Sequence, residues 1–182
     1  MFRQTTFGMA LSLLVLASSF MTVPLRRSNS TQTVAQTQQS IYSTTQASIS
    51  KFNSRNSHLE KLVFDQINQY RVSQGLTKLT LDSNISKQAR IHSQNMANGK
   101  VKFSHHGFEQ RVKALPLKYE SAGENVAFNV GYSDPSKEAV IGWLNSPGHL
   151  KNIQGKYTFT GVGVATNAKG EVYLTQIFIK TR

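Results

Sequence analysis

Apolar side chains recur at helical spacing as soon as the chain passes His58. Leu59, Leu62, Val63, Ile67 and Tyr70 fall on one face and Gly75 follows them, which predicts an amphipathic helix over residues 58–74. A second helix follows at once: Asp82 is a suitable N-cap, Ile85, Ala89, His92 and Met96 share a face, and Gly99 supplies the stop. His92 on that apolar face reads as a satisfied core histidine. Phe108–Leu115 reads as a short helix ended by Pro116, and Glu120–Phe128 as a short strand. Asp134-Pro135 opens another helix, with proline where a missing N–H costs nothing, and Val140, Trp143 and Leu144 form its buried stripe. Ser146-Pro147-Gly148 breaks that helix. Two strands close the chain, Thr158–Ala165 and Val172–Lys180, joined by a turn at Asn167–Gly170. Helices on both sides of a small, largely antiparallel sheet are implied, an α+β class.

The first 57 residues read differently. Arg3 precedes an apolar run densest over Met9–Leu16, and Ala17-Ser18-Ser19 suits a signal-peptidase site, so residues 1–27 are expected to be an export signal. The rival is an uncleaved anchor, because apolar residues resume at Phe20–Leu25 before Arg26-Arg27. Residues 28–57 are mostly Ser, Thr, Gln and Asn without apolar periodicity, and are expected to be a disordered linker. The folded domain is then 58–182, and the expected location is secreted or extracytoplasmic, in a periplasm or at a cell surface.

Charge and cysteine content narrow the chemistry. Of 21 basic residues, five precede residue 58 and no acid does, leaving 16 basic against 9 acidic residues in the domain, a net of +7. That balance favours weak contact with anionic surfaces such as wall polymers or lipid headgroups. No recognition motif accompanies it, so specific nucleic-acid binding is not expected. The absence of cysteine excludes disulfides, thiolate catalysis and Cys-ligated zinc together.

Three positions could carry chemistry. His105 lies in a loop between two predicted helices, and His106 beside it points elsewhere if the segment is extended. Glu124 sits inside the apolar strand Ala122–Phe128, where a carboxylate is costly unless a cation, a donor or a metal meets it. His149 follows the Pro147-Gly148 break. Two imidazoles and a carboxylate in one cleft would suit a divalent transition metal with an open position, or an acid/base pair. The gaps of 19 and 25 residues match no local metal motif, and a buried hydrogen-bond network that fixes the loops is the structural alternative.

Phe103-Ser104-His105, Gly123-Glu124-Asn125-Val126-Ala127, Trp143–His149, Gly161–Ala165 and Thr175–Phe178 occur in an order that resembles the bacterial CAP superfamily, the SCP-like domain of exported proteins. Asn68–Arg71 and the helix ending near Met96-Ala97 fit its opening. The resemblance covers essentially residues 58–180. It implies an α-β-α sandwich of the CAP/SCP type with a cleft lined by His and Glu, which in some members holds zinc or another divalent cation. His105, Glu124 and His149 match three cleft positions and are the metal-ligand candidates, with Glu124 the candidate catalytic group. The second glutamate that eukaryotic members carry after the helix tryptophan is missing, since Leu144, Asn145 and Ser146 follow Trp143. Mechanisms needing two carboxylates do not transfer.

Three functions follow from this reading. The favoured one is a monomeric, non-catalytic extracellular binding module for a small apolar or lipid ligand, or a cell-wall polymer. The second is a metal-assisted hydrolase, a peptidase or wall-acting enzyme, in which Glu124 orients or deprotonates water. The third is a surface protein adhering by charge. Serine catalysis is disfavoured because Ser104 lacks a nucleophile-elbow context.

Overall fold

The computed structural model describes residues 30–182, so the expected export signal lies outside it. The elements in chain order are α1 (Ser30–Ser73), β1 (Thr80–Leu81), α2 (Ser83–Ala97), α3 (Phe108–Lys113), β2 (Tyr119–Asn129), α4 (Pro135–Leu144), α5 (Pro147–Gln154), β3 (Phe159–Thr166) and β4 (Val172–Thr181). A compact unit begins at Ile41 and runs to Arg182.

The strands form one sheet in the order β1-β3-β4-β2. Both long pairings are antiparallel and the two-residue β1 lies parallel to β3. Strand alternation sends the two faces into separate cores. On one face Val162, Val164, Leu174 and Phe178 pack with Leu59, Val63 and Ile67 of α1, Trp143 of α4 and Ile153 of α5. On the other, Ile177 and Ile179 pack with Ile85 and Ala89 of α2 and Val112 of α3. The expected α-β-α sandwich is therefore present.

The second helical layer sits unusually close to the sheet. A Cβ on Gly163 would fall on the Arg90 amide nitrogen and the Ala89 carbonyl carbon, both backbone atoms of α2. Glycine is required here by the approach of two backbones. Ser93 of α2 then reaches the Gly163 carbonyl at 2.9 Å and the Thr175 hydroxyl at 2.8 Å, closing a dry polar contact across the layer.

Besides the two-residue β1, which the sequence reading lacks, two elements differ from it. Pro147 ends α4 and also starts α5, because a residue with fixed φ and no N–H breaks the helix behind it and suits the first position of the next. The helix expected from residue 58 begins instead at Ser30, so the linker expected to be disordered is helical over 30–57. No Gly or Pro occurs between Ser30 and Ser73, and the cost of helix nucleation is already met by the packed turns after Asn56. The polar composition shows in the burial: residues 34–55 are exposed throughout.

The close seam gives a direct test. Gly163→Ala should destabilise the protein by about 3 kcal/mol or more, read as a drop in the urea midpoint, because the clashing atoms are backbone and cannot swing aside. An unchanged midpoint would mean that α2 does not seat on β3 as described.

Candidate functional site on the edge strand

The site is built around β2, one of the sheet's two edge strands, whose alternate residues reach opposite faces of the sheet. Glu124 pairs with Ile177 and shares its face, whereas Asn125 pairs with Gln176 on the other. Both are buried, Glu124 at 5% exposure and Asn125 at 0%.

Glu124 meets its cation in Arg111, on α3. Arg111 Nη2 donates to Oε1 at 2.8 Å and Oε2 at 2.7 Å, and Nε donates to Oε2 at 3.1 Å. The guanidinium is itself buried. Planar two-pronged pairing of this kind is the geometry that lets opposite charges leave water together. The remaining acceptor capacity of the carboxylate takes the Nδ1–H of His105 at 3.0 Å. Nδ1 therefore bears a ring hydrogen, and in the neutral tautomer Nε2 is the nitrogen left to accept. The His105 side chain is 52% exposed, so that nitrogen belongs to a side chain open to ligands.

The loop carrying His105 is pinned on both sides. His92 Nε2–H donates to the Ser104 carbonyl at 2.7 Å, and Arg111 Nη1 donates to the His106 carbonyl at 2.7 Å. Gly107 adopts φ 76°, a left-handed conformation that turns the loop into α3 at little steric cost. His92 is 2% exposed, in keeping with its reading as a core residue.

From the far face, Asn125 Nδ2 donates to the His149 carbonyl at 3.1 Å, and Asn152 Nδ2 donates to the Glu124 carbonyl at 3.1 Å and to Asn125 Oδ1 at 2.9 Å. Trp143 Nε1 donates to the Val126 carbonyl at 2.9 Å. Side chains of α4 and α5 thereby occupy outward carbonyls that an edge strand otherwise leaves free. His149 is held at the start of α5, half-buried, with Nδ1 buried and lacking a hydrogen-bond partner. Burial pushes the His149 and His92 pKa values down; the neighbouring His105 adds to the effect on His149, while the Ser104 carbonyl partly opposes it at His92.

His105 and Glu124 are thus brought into contact, and His149 is seated on the adjoining helix without bonding to either. As a metal centre the arrangement does not fit. Glu124 already faces a guanidinium that would repel a divalent ion, and among the described residues no three His, Asp or Glu side chains converge on one point. Glu124 as a base fits poorly for the same reason, since both oxygens are engaged; the available proton acceptor is His105 Nε2. The residue that sequence reading passed over is Arg111. Its signal was the buried carboxylate's demand for a cation, answered on a helix only 13 positions earlier.

Also unforeseen is an aromatic run on the same face. Strand alternation places Phe128 on the Glu124 side of β2, roughly 13 Å along it at about 3.3 Å per residue. Phe128 stacks against Tyr173 with ring centroids 5.0 Å apart and against Phe103 at 6.3 Å. Phe103 and Phe128 are 51% and 41% exposed.

Two outcomes test this geometry. Arg111→Met should cost about 3–5 kcal/mol in urea unfolding by stranding a buried carboxylate, and adding Glu124→Gln should recover part of the loss. Retained stability in Arg111→Met would show that Glu124 is solvated. Because His92 and His149 have folded pKa values below the ordinary 6.5, the unfolded chain binds more protons below that pH. Their contribution is full above pH 6.5 and is lost as the pH falls through the folded values. The urea midpoint should therefore decline from pH 7.5 to 5.5, and less so in His92→Gln; a level profile would contradict burial of neutral rings.

A family model described as CAP, cysteine-rich secretory protein family, matches residues 64–178. The Bacillus subtilis protein YkwD is 39% identical over 126 residues, which is 66% of this chain and 46% of YkwD. The membrane protein YlbC of the same organism is 39% identical over 127 residues, or 66% of this chain and 34% of YlbC. An extracellular protein from Bacillus anthracis containing an SCP domain superposes with a TM-score of 0.64 at 30% identity, covering 72% of this chain and 43% of that one. This chain spans less than half the length of each of these relatives. The match runs from Phe64 in α1 to Phe178 in β4, more than half of the chain, and on that ground the chain belongs to the CAP family, although it contains no cysteine.

Proposed function

We propose that the chain is an extracytoplasmic, non-catalytic binding module whose ligand site is the β2-edge cleft, with the Arg111–Glu124–His105 network as its scaffold. One observation carries the reading: a run of partly exposed rings, Phe103, Phe128 and Tyr173, lies on the same face as an open imidazole whose supporting carboxylate is already neutralised. An apolar strip next to one polar anchor suits a small amphiphile, such as an acyl chain with a hydrogen-bonding head, better than a highly charged substrate. The apolar run at Met9–Leu16 and the extracellular B. anthracis relative support export. Among the described residues no helix is long and apolar enough to cross a membrane.

The hydrolase reading draws its support from His105 Nε2, a base oriented by a carboxylate. The two readings separate experimentally. Binding of a fluorescent fatty-acyl probe should weaken about ten-fold in Phe128→Ala, from the transfer energy of one ring, and change little with added salt. The purified protein should hold no stoichiometric zinc. Steep loss of binding in salt would transfer the case to charge-driven adhesion. Hydrolysis of ester or peptide substrates that disappears in His105→Ala, or stoichiometric zinc, would replace the binding module with an enzyme.

A further inference from the structure

Arg71 is 2% exposed and forms no ion pair among the described residues, whose pairs involve other side chains. Its Nε donates to the Thr77 carbonyl at 2.9 Å, and Nη1 donates to the carbonyls of Ile153 and Gly155. Nη2 has no hydrogen bond among the described residues. Burial pushes the guanidinium pKa down, as expected of a cation without a counter-ion. This side chain lines a pocket of about 400 Å³ with Thr77, Lys78, Lys156, Tyr157 and Thr158, and no carboxylate contributes to the lining.

Charge bookkeeping at this pocket leaves a surplus. Helices α1 and α5 both end here, and each C-terminus supplies about half a negative charge. Two such ends offset about one of the three cations. About two positive charges remain, which matches the charge of a phosphate monoester near neutral pH. Thr77 adds a polar side chain to the lining, and the volume exceeds that of one phosphate, leaving room for a small substituent.

We propose that this pocket is a binding site for a phosphoryl group, with Lys78 and Lys156 as the recognising cations and Arg71 as the buried charge behind them. The phosphoryl group could be carried by a small soluble ester or by a lipid headgroup, and the pocket's chemistry is common to both. Its residues are separate from the β2-edge cleft, so the site stands independently of the function proposed for that cleft.

The test follows backbone amide resonances of Lys78, Lys156 and Thr158 in the full chain during titration with orthophosphate and with glycerol 3-phosphate. Vesicles of phosphatidylglycerol in phosphatidylcholine are compared with pure phosphatidylcholine by sedimentation. Lys78→Ala/Lys156→Ala is the variant, since it spares the Arg71 clamp; an unchanged urea midpoint verifies its fold. Saturable shifts with either soluble phosphate, weakened about ten-fold or more in the variant, are expected from the loss of charged hydrogen bonds. Stronger binding of glycerol 3-phosphate than orthophosphate assigns a soluble ester, and added variant-sensitive vesicle binding assigns a headgroup. Absence of saturable shifts, equal affinity in the variant, or vesicle binding without phosphate binding overturns the site.

Discussion

A carboxylate sealed inside a sheet must be answered by a cation or it will not stay ionised, and in this protein the answer is Arg111. The Arg111–Glu124 pair decides more than its own stability. It ties α3 to the edge strand, holds the His106 carbonyl and so the loop before α3, and leaves the carboxylate one further acceptor position, which His105 takes. The tautomer of His105 follows from that bond, and with it the nature of the one nitrogen left for a ligand. The guanidinium also engages both oxygens of Glu124. Arg111 and Glu124 cancel each other's charge through an organic cation that offers no coordination position.

The position of the site follows from β2 being an edge. An inner strand has neighbours on both sides and cannot present consecutive residues to two helical layers and solvent at once. Here Glu124 turns to α3 and Asn125 to α5, so adjacent residues anchor opposite layers, and the helices wrap the open margin with donors from Trp143 and Asn152. The same wrapping protects the edge from pairing with another chain. Beyond the wrapped part, the rings of Phe128 and Phe103 remain partly in solvent, so β2 carries both a protected edge and an exposed aromatic contact.

The positive charge of the domain is likewise unevenly used. Arg90 and Arg111 are spent on carboxylates, the former in a bidentate contact with Glu60 that also receives the Val164 amide. Arg71 is spent on backbone carbonyls at the end of α5. A guanidinium can satisfy several carbonyls through its fork and still retain charge, because dipoles neutralise it only in part. That residue of charge, and not the net charge of the sequence, distinguishes the Lys78–Lys156 pocket from the rest of a basic surface.

The sequence by itself determined most of the elements and their order, though not β1 or α5. The stripes of α1 and α2, the Asp82 and Asp134 caps, the proline starting α4 and the alternation of the closing strands are local signals, set by helical period, capping chemistry and φ restriction. It also marked Glu124 as a carboxylate in an apolar strand that is costly without a partner, and His105 and His149 as imidazoles in a loop and after a helix break. Pairing was decided only by tertiary structure. Nothing within a few residues of Glu124 states that Arg111 will meet it, that His149 will stay apart, or that Phe103 and Tyr173 will flank Phe128, since these contacts depend on loop closure and sheet register across the chain. The extension of α1 to Ser30 belongs to the same class: composition argued against order, and a helix already nucleated by packing continued through it. Short-range chemistry is written residue by residue, whereas the partner of a buried charge is chosen by the fold that brings the two within about 3 Å.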